Sequence, residues 1–499
     1  MRPNRPAHSL ALLTLLLAFG LAAAEPPPVT AEEYAARRAR VAEAIGPDAL
    51  LILESPEPAQ RNGDVSWPFR QDDDLYYLTG VAEPASALVM MPGEEGLAEV
   101  LFAPDRDSLS EAWDGPIPEH AELAAVSGVA EVHSSGGARG LVAAALNGTR
   151  WGASEIYRYY RPPAAPHLRE AVVAGRATVW LDLGTRWWGA SSPALDMAQA
   201  IRAAWPEVEI RDVAPLLFDL REVKSAAEVA HVEHAIEITE AAIAAGMERA
   251  LSAETENQVA AAVESTFLDR GACCWAFPSI VAAGSNTTIL HYPAGRAPVP
   301  RDGLVMLDVG ADYRGYAADV TRTFPADGTF SPEQRAIYDA VHGAWAAMLP
   351  KLTAGNRYVD VHLATLDYLA ERLLALGLVT AAEREQAEMY FFHGLGHPLG
   401  LQTHDEFDRL RDLEPGMIWS LEPGVYVRPA DVEASAAFQA LDAADQEKIR
   451  AALDRYAGIG VRIEDDVLIT DGAPRVLSDG APRGVEEIEA AMAAMAAMR

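Results

Sequence analysis

Short apolar runs of strand length, at residues 49–53, 87–91 and 179–183, alternate with segments of helical period over residues 31–215. That alternation predicts an α/β domain. Residues 216–225 read as a crossover, after which Ala226–Ala250 carries the pattern of one long Ala- and Glu-rich helix. Farther on the period shortens again. Residues 304–307 are an apolar strand-type run ending at Asp308, and residues 318–324 alternate as a second strand, with Asp312-Tyr313-Arg314-Gly315 between them as a turn. Ser331-Pro332-Glu333-Gln334 combines an N-cap, a proline at N1 and a glutamine at N3, which predicts a helix running to about residue 349. Residues 430–457 read as a helical surface hairpin, and the Met- and Ala-rich tail after Val485 as a closing helix whose methionines pack. No internal repeat is visible. The predicted boundaries are therefore 1–24, 25–217 and 218–499.

The first of these segments is a leader. Arg2 and Arg5 precede an apolar stretch at residues 10–21 and the small residues Ala22-Ala23-Ala24, the layout of a cleaved secretory signal and too short for a membrane span. Export to the periplasm or the exterior is expected, with no membrane attachment after cleavage. The chain has 499 residues, half of them hydrophobic, enough for two or three domains with a large core. Its formal net charge of -33 repels nucleic acid and anionic lipid, so neither is expected as a partner. The two cysteines, Cys273 and Cys274, are adjacent and stand beside Trp275 and Phe277. Because a disulfide between neighbours is strained, they are expected to be two buried thiols.

Among 73 acidic residues a few are placed where charge has a use. A hairpin centred on Tyr313-Arg314 puts Asp308 opposite Asp319 with Cβ atoms roughly 5 Å apart, a repulsive pair unless a cation lies between them. His397 belongs to His393-Gly394-Leu395-Gly396-His397-Pro398-Leu399-Gly400, whose glycines and proline predict a loop. Glu422 follows the apolar residues 417–421 and precedes Pro423-Gly424, at a strand end. In residues 460–467, alternation sets Arg462 and Glu464 on one face and Val461 and Ile463 on the other, either a cleft wall or a solvated strand face. Four carboxylates and an imidazole suit hard or borderline divalent ions such as Mn(II), Co(II) or Zn(II), and two ions can share them because each carboxylate has two oxygens. The lack of a Gly-x-Ser-x-Gly elbow and of an isolated cysteine argues against a serine or thiol hydrolase.

Several strings around these residues resemble the pita-bread metallopeptidases, which include aminopeptidase P, prolidase and methionine aminopeptidase. They are Leu307-Asp308-Val309-Gly310, residues 316–325, His393-Gly394-Leu395-Gly396-His397, Glu422-Pro423-Gly424 and Gly460-Val461-Arg462-Ile463-Glu464-Asp465. Residues 61–80, with Glu83-Pro84, are similar to the N-terminal domain of aminopeptidase P. The resemblance covers the chain from about residue 30 and implies an α/β N-terminal domain plus an α+β pita-bread catalytic domain.

It also implies a site and a reaction. Asp308, Asp319, His397, Glu422 and Glu464 would hold two divalent metals, Mn(II) before Co(II), Zn(II) or Fe(II), with Asp319 and Glu464 bridging. A hydroxide between the ions would attack the peptide, with Glu422 moving the proton. His291, His393 and His404 would line the site, His404 stabilising the tetrahedral intermediate and His291 positioning substrate. Arg462 would orient ligands or meet a substrate carboxylate. Tyr292 and Trp113 are candidate pocket walls. The substrates expected are peptides with proline second, and a homo-oligomer, dimer or tetramer, is expected. Prolidase activity on Xaa-Pro dipeptides is the nearest alternative, and a metal-free binding module a remoter one. Two departures from the family pattern, Pro398 and the short charged stretch at 406–413, bear on substrate length.

Overall fold

The computed structural model describes residues 25–499 apart from 57, 94–95, 152–163 and 185–191, so the leader at 1–24 lies outside the described residues. Two compact units divide it, Pro28–Arg221 and Glu222–Arg499, the second also taking in residues 25–27. The predicted boundary at 217/218 is thus four residues early. The segment read as a crossover, 216–225, begins inside a helix, Ala214–Glu222, which takes up all but its last three residues.

The first unit is a mixed six-stranded sheet. Its strands are β1 (Ala49–Glu54), β2 (Ala87–Gly93), β3 (Gly96–Ala103), β4 (Val132–Ser134), β5 (Thr178–Leu181) and β6 (Glu209–Asp212), in the order β4-β3-β2-β1-β5-β6. β1 and β2 are apolar without alternation because both faces of the sheet are covered. Leu50, Ile52, Val89, Phe102 and Val179 on the strands form one core with Leu141, Leu168 and Ile201 on the helices.

In the second unit the predicted helices form as read. Ser225 and Glu228 close a capping box on Ala226–Ala250, and Ser331 with Gln334 does the same on Pro332–Met348. The closing helix Val485–Ala497 buries Met492, while Met498 is exposed. The predicted hairpin at 430–457 is instead three helices, Pro429–Ala434, Ala436–Gln439 and Ala443–Tyr456. Ser435 and Asp442 each cap a new helix with their side chains, and each cap restarts the chain in a new direction.

The strands of this unit are β7 (Cys274–Trp275), β8 (Ile280–Ala283), β9 (Leu304–Val309), β10 (Ala311–Tyr313), β11 (Tyr316–Ala317), β12 (Val320–Pro325), β13 (Ile418–Leu421), β14 (Gly424–Tyr426), β15 (Gly460–Arg462), β16 (Asp465–Leu468) and β17 (Arg475–Val476). The hairpin from β9 to β12 turns on Arg314-Gly315, with φ of 53° and 82°, one residue later than predicted. Positive φ at both turn residues matches the twist of the strands, and the Asp312 carboxylate secures the turn by accepting from the Gly315 N–H at 2.8 Å. Asp308 therefore pairs with Thr321, not Asp319. Moving a turn by one residue moves each partner by two, so both carboxylates stay on one face, as diagonal neighbours.

Continuing that register sets Gly310 opposite Asp319. A Cβ on Gly310 would stand 1.7 Å from the Ala318 carbonyl oxygen, and nothing but glycine lets the strands approach so closely. Gly310→Ala is expected to destabilise the protein by about 3 kcal/mol, the upper range for overpacking, and to weaken metal binding by prising the two aspartates apart. Denaturant unfolding of the metal-free variant, followed by a metal titration, checks both effects.

Candidate metal centre

Every predicted ligand comes from the second unit. The loop holding His397 runs beside β13: the Ser420 N–H donates to the His397 carbonyl at 2.8 Å, and the Glu422 N–H donates to that of Leu395 at 2.8 Å. Gly396 makes this approach possible, since a Cβ there would lie 2.0 Å from the Ser420 carbonyl oxygen. Glu422 follows the end of β13, as its sequence setting predicts. Glu464 links β15 and β16, where its N–H donates to the Thr321 carbonyl at 3.1 Å. Arg462 and Glu464 are 3% and 2% exposed, so of the two readings for this strand face it is the cleft wall that forms.

These elements line one cavity of about 1370 Å³, which also receives His291, His393, His404, Tyr292 and Arg462. Three overlapping groups have ligand atoms within 4.8 Å of one another: Asp308, Asp319 and Glu464; His397, Glu422 and Glu464; and Asp319, His397 and His404. Asp319, His397 and Glu464 each belong to two of them. The His397 Nε2 lies 3.5 Å from Asp319 Oδ2, 3.7 Å from Glu422 Oε1 and 3.9 Å from Glu464 Oε1. Those separations are long for hydrogen bonds and leave room for a shared ion. Its Nδ1 sits 3.2 Å from the Pro398 carbonyl oxygen, which places the proton on Nδ1 and turns the Nε2 lone pair toward the carboxylates. Trp113, by contrast, is not in this cavity. It is on a helix of the first unit with 81% of its surface exposed. Tyr292 is the predicted wall residue that the structure places there.

Charge explains what the cluster lacks. Burial, then the neighbouring Asp308, Asp466 and Glu422, drives the Asp319 carboxyl well above its usual range; burial and then Asp319 do the same to Glu464. Burial is also the largest cause lifting Glu422 to about 7. Asp319 Oδ1 is buried without a hydrogen-bond partner. Arg462 is ion-paired to the cluster's Asp308, while the buried Arg322 meets the cluster only at the Glu464 backbone carbonyl, 2.8 Å away. An acceptor-rich, oxygen-dominated and buried set of this kind fits divalent cations. Because protons must leave before a carboxylate can ligate, metal affinity is expected to fall as pH drops through about 7 and protons to be released on binding. Calorimetric titration of metal into the metal-free protein, a unit below and a unit above that pH in two buffers of different ionisation enthalpy, measures both.

A second layer of contacts was not legible in the sequence. The Arg462 Nη1 donates to the Tyr426 hydroxyl at 2.8 Å, which lies 2.9 Å from His393 Nε2. His393 Nδ1 in turn faces the Gly394 carbonyl at 2.7 Å. Burial and the Arg462 charge hold His393 down to about 3, so it is a neutral ring that accepts from Tyr426 and donates to Gly394. Thr321 donates to Glu464 Oε2 at 2.7 Å, and Asp466 accepts from the Asp319 N–H at 3.1 Å. Thr321 shares the face of Asp319 by alternation, a usable signal; Tyr426 carries none. Glu256 is fully buried and accepts from the Ala283 N–H and from Asn286 Nδ2, each at 2.9 Å, anchoring the start of the segment that bears His291 and Tyr292.

Metallopeptidase family M24 matches residues 230–471, the part of the chain that holds the whole cluster, and the aminopeptidase P N-terminal domain matches residues 34–151. Fold and site thus define a metallopeptidase with a pita-bread catalytic domain. The Xaa-Pro aminopeptidase of Haemophilus influenzae is 31% identical over 472 residues, covering 92% of this chain and 96% of its own. That of Escherichia coli is 30% identical over 483 residues, covering 93% and 98%. Among solved structures, aminopeptidase PepP of Pseudomonas aeruginosa aligns with a TM-score of 0.78 at 31% identity, over 94% of this chain and 99% of its own. Aminopeptidase P of Escherichia coli with the inhibitor Pro-Leu aligns with a TM-score of 0.77 at 26% identity, over 94% and 100%. The chain belongs to the aminopeptidase P family.

Proposed function

We propose that this protein is an exported aminopeptidase that releases the N-terminal residue from peptides with proline in second position, using two divalent cations, Mn(II) before Co(II), Zn(II) or Fe(II). The observation that carries the reading is the sharing of Asp319, His397 and Glu464 between overlapping ligand groups in one cavity, alongside Asp308 and Glu422. Cations held by Asp308, Asp319, His397, Glu422 and Glu464 would supply a water nucleophile at neutral pH and polarise the scissile carbonyl.

The chain's own residues do the rest. Glu422, 3.6 Å from His393 at the edge of the ligand cluster, can take a proton at one stage and return it to the leaving nitrogen at another. His404 is held down to about 4, by its surroundings first and then by His397 and His291, and so presents a neutral ring that can donate to the developing oxyanion. His291 and Tyr292 stand on the cavity wall where substrate must pass. Arg462 holds Asp308 in place.

Hydrolysis of Xaa-Pro-Yaa peptides, compared with Xaa-Pro dipeptides, is the deciding assay. Turnover of the tripeptide by the metal-loaded enzyme is expected, and turnover of the dipeptide alone would convert the reading to a prolidase. Assays after stepwise addition of Mn(II), Co(II), Zn(II) and Fe(II) to the metal-free protein identify the ion. Export rests on the layout of residues 1–24, and N-terminal sequencing of secreted protein tests it, with Glu25 expected first. No described helix is long and apolar enough to cross a membrane.

A further inference from the structure

The expected buried thiols are not buried: Cys273 is exposed and Cys274 half-buried. They sit where the chain leaves the helix Glu256–Asp269 through Gly271, at φ 90°, and enters β7. Neighbours in a regular strand point to opposite faces. Here the two Sγ atoms lie 2.9 Å apart, so both side chains turn the same way. The Asp312 carboxylate completes the cluster, with ligand atoms of all three residues within 4.8 Å of one another. Asp312 is fixed from both sides: its side chain holds the Gly315 N–H at 2.8 Å, and its carbonyl accepts from the Cys273 N–H at 3.1 Å.

We propose that Cys273, Cys274 and Asp312 form a second cation site, outside the catalytic cluster, that takes soft divalent ions such as Cd(II) or Zn(II) through two thiolates and one carboxylate. The donor chemistry separates the two sites. Sulfur selects thiophilic ions and is a poor ligand for Mn(II), whereas the oxygen-rich cluster of Asp308, Asp319, Glu422 and Glu464 accepts Mn(II) readily. Binding is a substitution: the ion enters and the two thiols give their protons to water, with no change of oxidation state. Three protein ligands leave room for solvent, which suits an exchangeable site more than a structural one.

Position gives the site a consequence. Cys274 pairs with Asp312 and Trp275 with Ala311, so β7 is stitched to the hairpin that carries Asp308 and Asp319. The chain then continues through Trp275, Ala276 and Phe277 along the wall of the catalytic cavity. An ion on the cysteines therefore braces the outer strand of the same hairpin. Titrations with Zn(II) or Cd(II) should reach one equivalent more than titrations with Mn(II).

The test uses the full chain, loaded with Mn(II) and kept reduced by a phosphine. Cd(II) is then added, and bound metal and the thiolate-to-cadmium ultraviolet band are followed together. One additional equivalent of Cd(II), with that band, is expected in the wild type. Both should be missing from C273S/C274S, whose Mn(II) content and peptidase activity should match the wild type. Asp312→Asn should keep the band and weaken Cd(II) binding about tenfold. Equal Cd(II) stoichiometry in wild type and C273S/C274S, or binding without the sulfur band, overturns the proposal. Neither result bears on the peptidase reading, which the Mn(II) activity assay reports separately.

Discussion

Glu464→Gln is expected to lower peptide hydrolysis on the order of 10³-fold or more and, at the same time, to make the metal-free protein more stable than the metal-free wild type. The first effect follows from position: Glu464 belongs to two of the overlapping ligand groups, so its loss disturbs both, where even an outer partner of a metal ligand costs about 10–100-fold. The second follows from charge. Burial and the adjacent Asp319 push the Glu464 carboxyl far above its usual range, which means the folded protein disfavours its charged form. A carboxyl raised by folding costs stability above its ordinary pKa; the cost starts to shrink as pH falls below the raised value and is gone only below the ordinary one. Near neutrality the wild type therefore carries this cost and the glutamine variant does not. Added metal should reverse the order, because it stabilises only the form that binds it. Thermal unfolding of both proteins with and without Mn(II), beside metal analysis and kcat, reads all of this. A metal-free variant that melts below the metal-free wild type would contradict the account of the cluster's charge.

Arg462→Met should be the most damaging change to stability. The guanidinium is 3% exposed, is ion-paired to Asp308, and donates to the Tyr426 hydroxyl at 2.8 Å and toward Thr321 Oγ1 and the Leu290 carbonyl at 3.3 Å. Burial opposes its charge, yet Tyr426, Asp308, Glu464 and Glu422 hold it firmly protonated. Removing it leaves buried carboxylates uncompensated, a loss of about 3–5 kcal/mol for one partner of a buried pair. Arg462→Lys should recover part of this, since an ammonium can meet Asp308 but cannot reach its other partners in a planar fork. Denaturant midpoints of the metal-free proteins provide the measurement, and an unchanged midpoint for the methionine variant would remove Arg462 from its structural role. His393 offers an internal check. Without the arginine its pKa should rise, because that charge is the second cause, after burial, of its low value.

What could be read in advance was local. The capping boxes at Ser225 and Ser331 are short-range hydrogen bonds between residues three apart, and both helices begin where those residues stand. Glu422 at a strand end and His397 in a glycine-bearing loop were placed by turn chemistry that acts over a few residues. What departs from the local pattern is long-range. The hairpin turned on Arg314-Gly315 because a positive-φ pair suits strand twist, although it lacks the usual Asn-Gly. Cys273 is exposed and Cys274 half-buried, because apolar neighbours in sequence do not decide what covers a side chain in space. Trp113 stayed on the surface of another unit, since no local rule says which distant segment faces a cavity.

By itself, then, the sequence determined the elements, their caps and the inventory of ligand types, all consequences of interactions along the chain. The tertiary structure decided which carboxylates share a buried space, which nitrogen of His397 and His393 carries the proton, and that Arg462 is ion-paired to one of those carboxylates. Those outcomes depend on burial and on charges more than a hundred residues apart in sequence, as Asp308 and Arg462 are, and long-range electrostatics of that kind exists only once the strands have met.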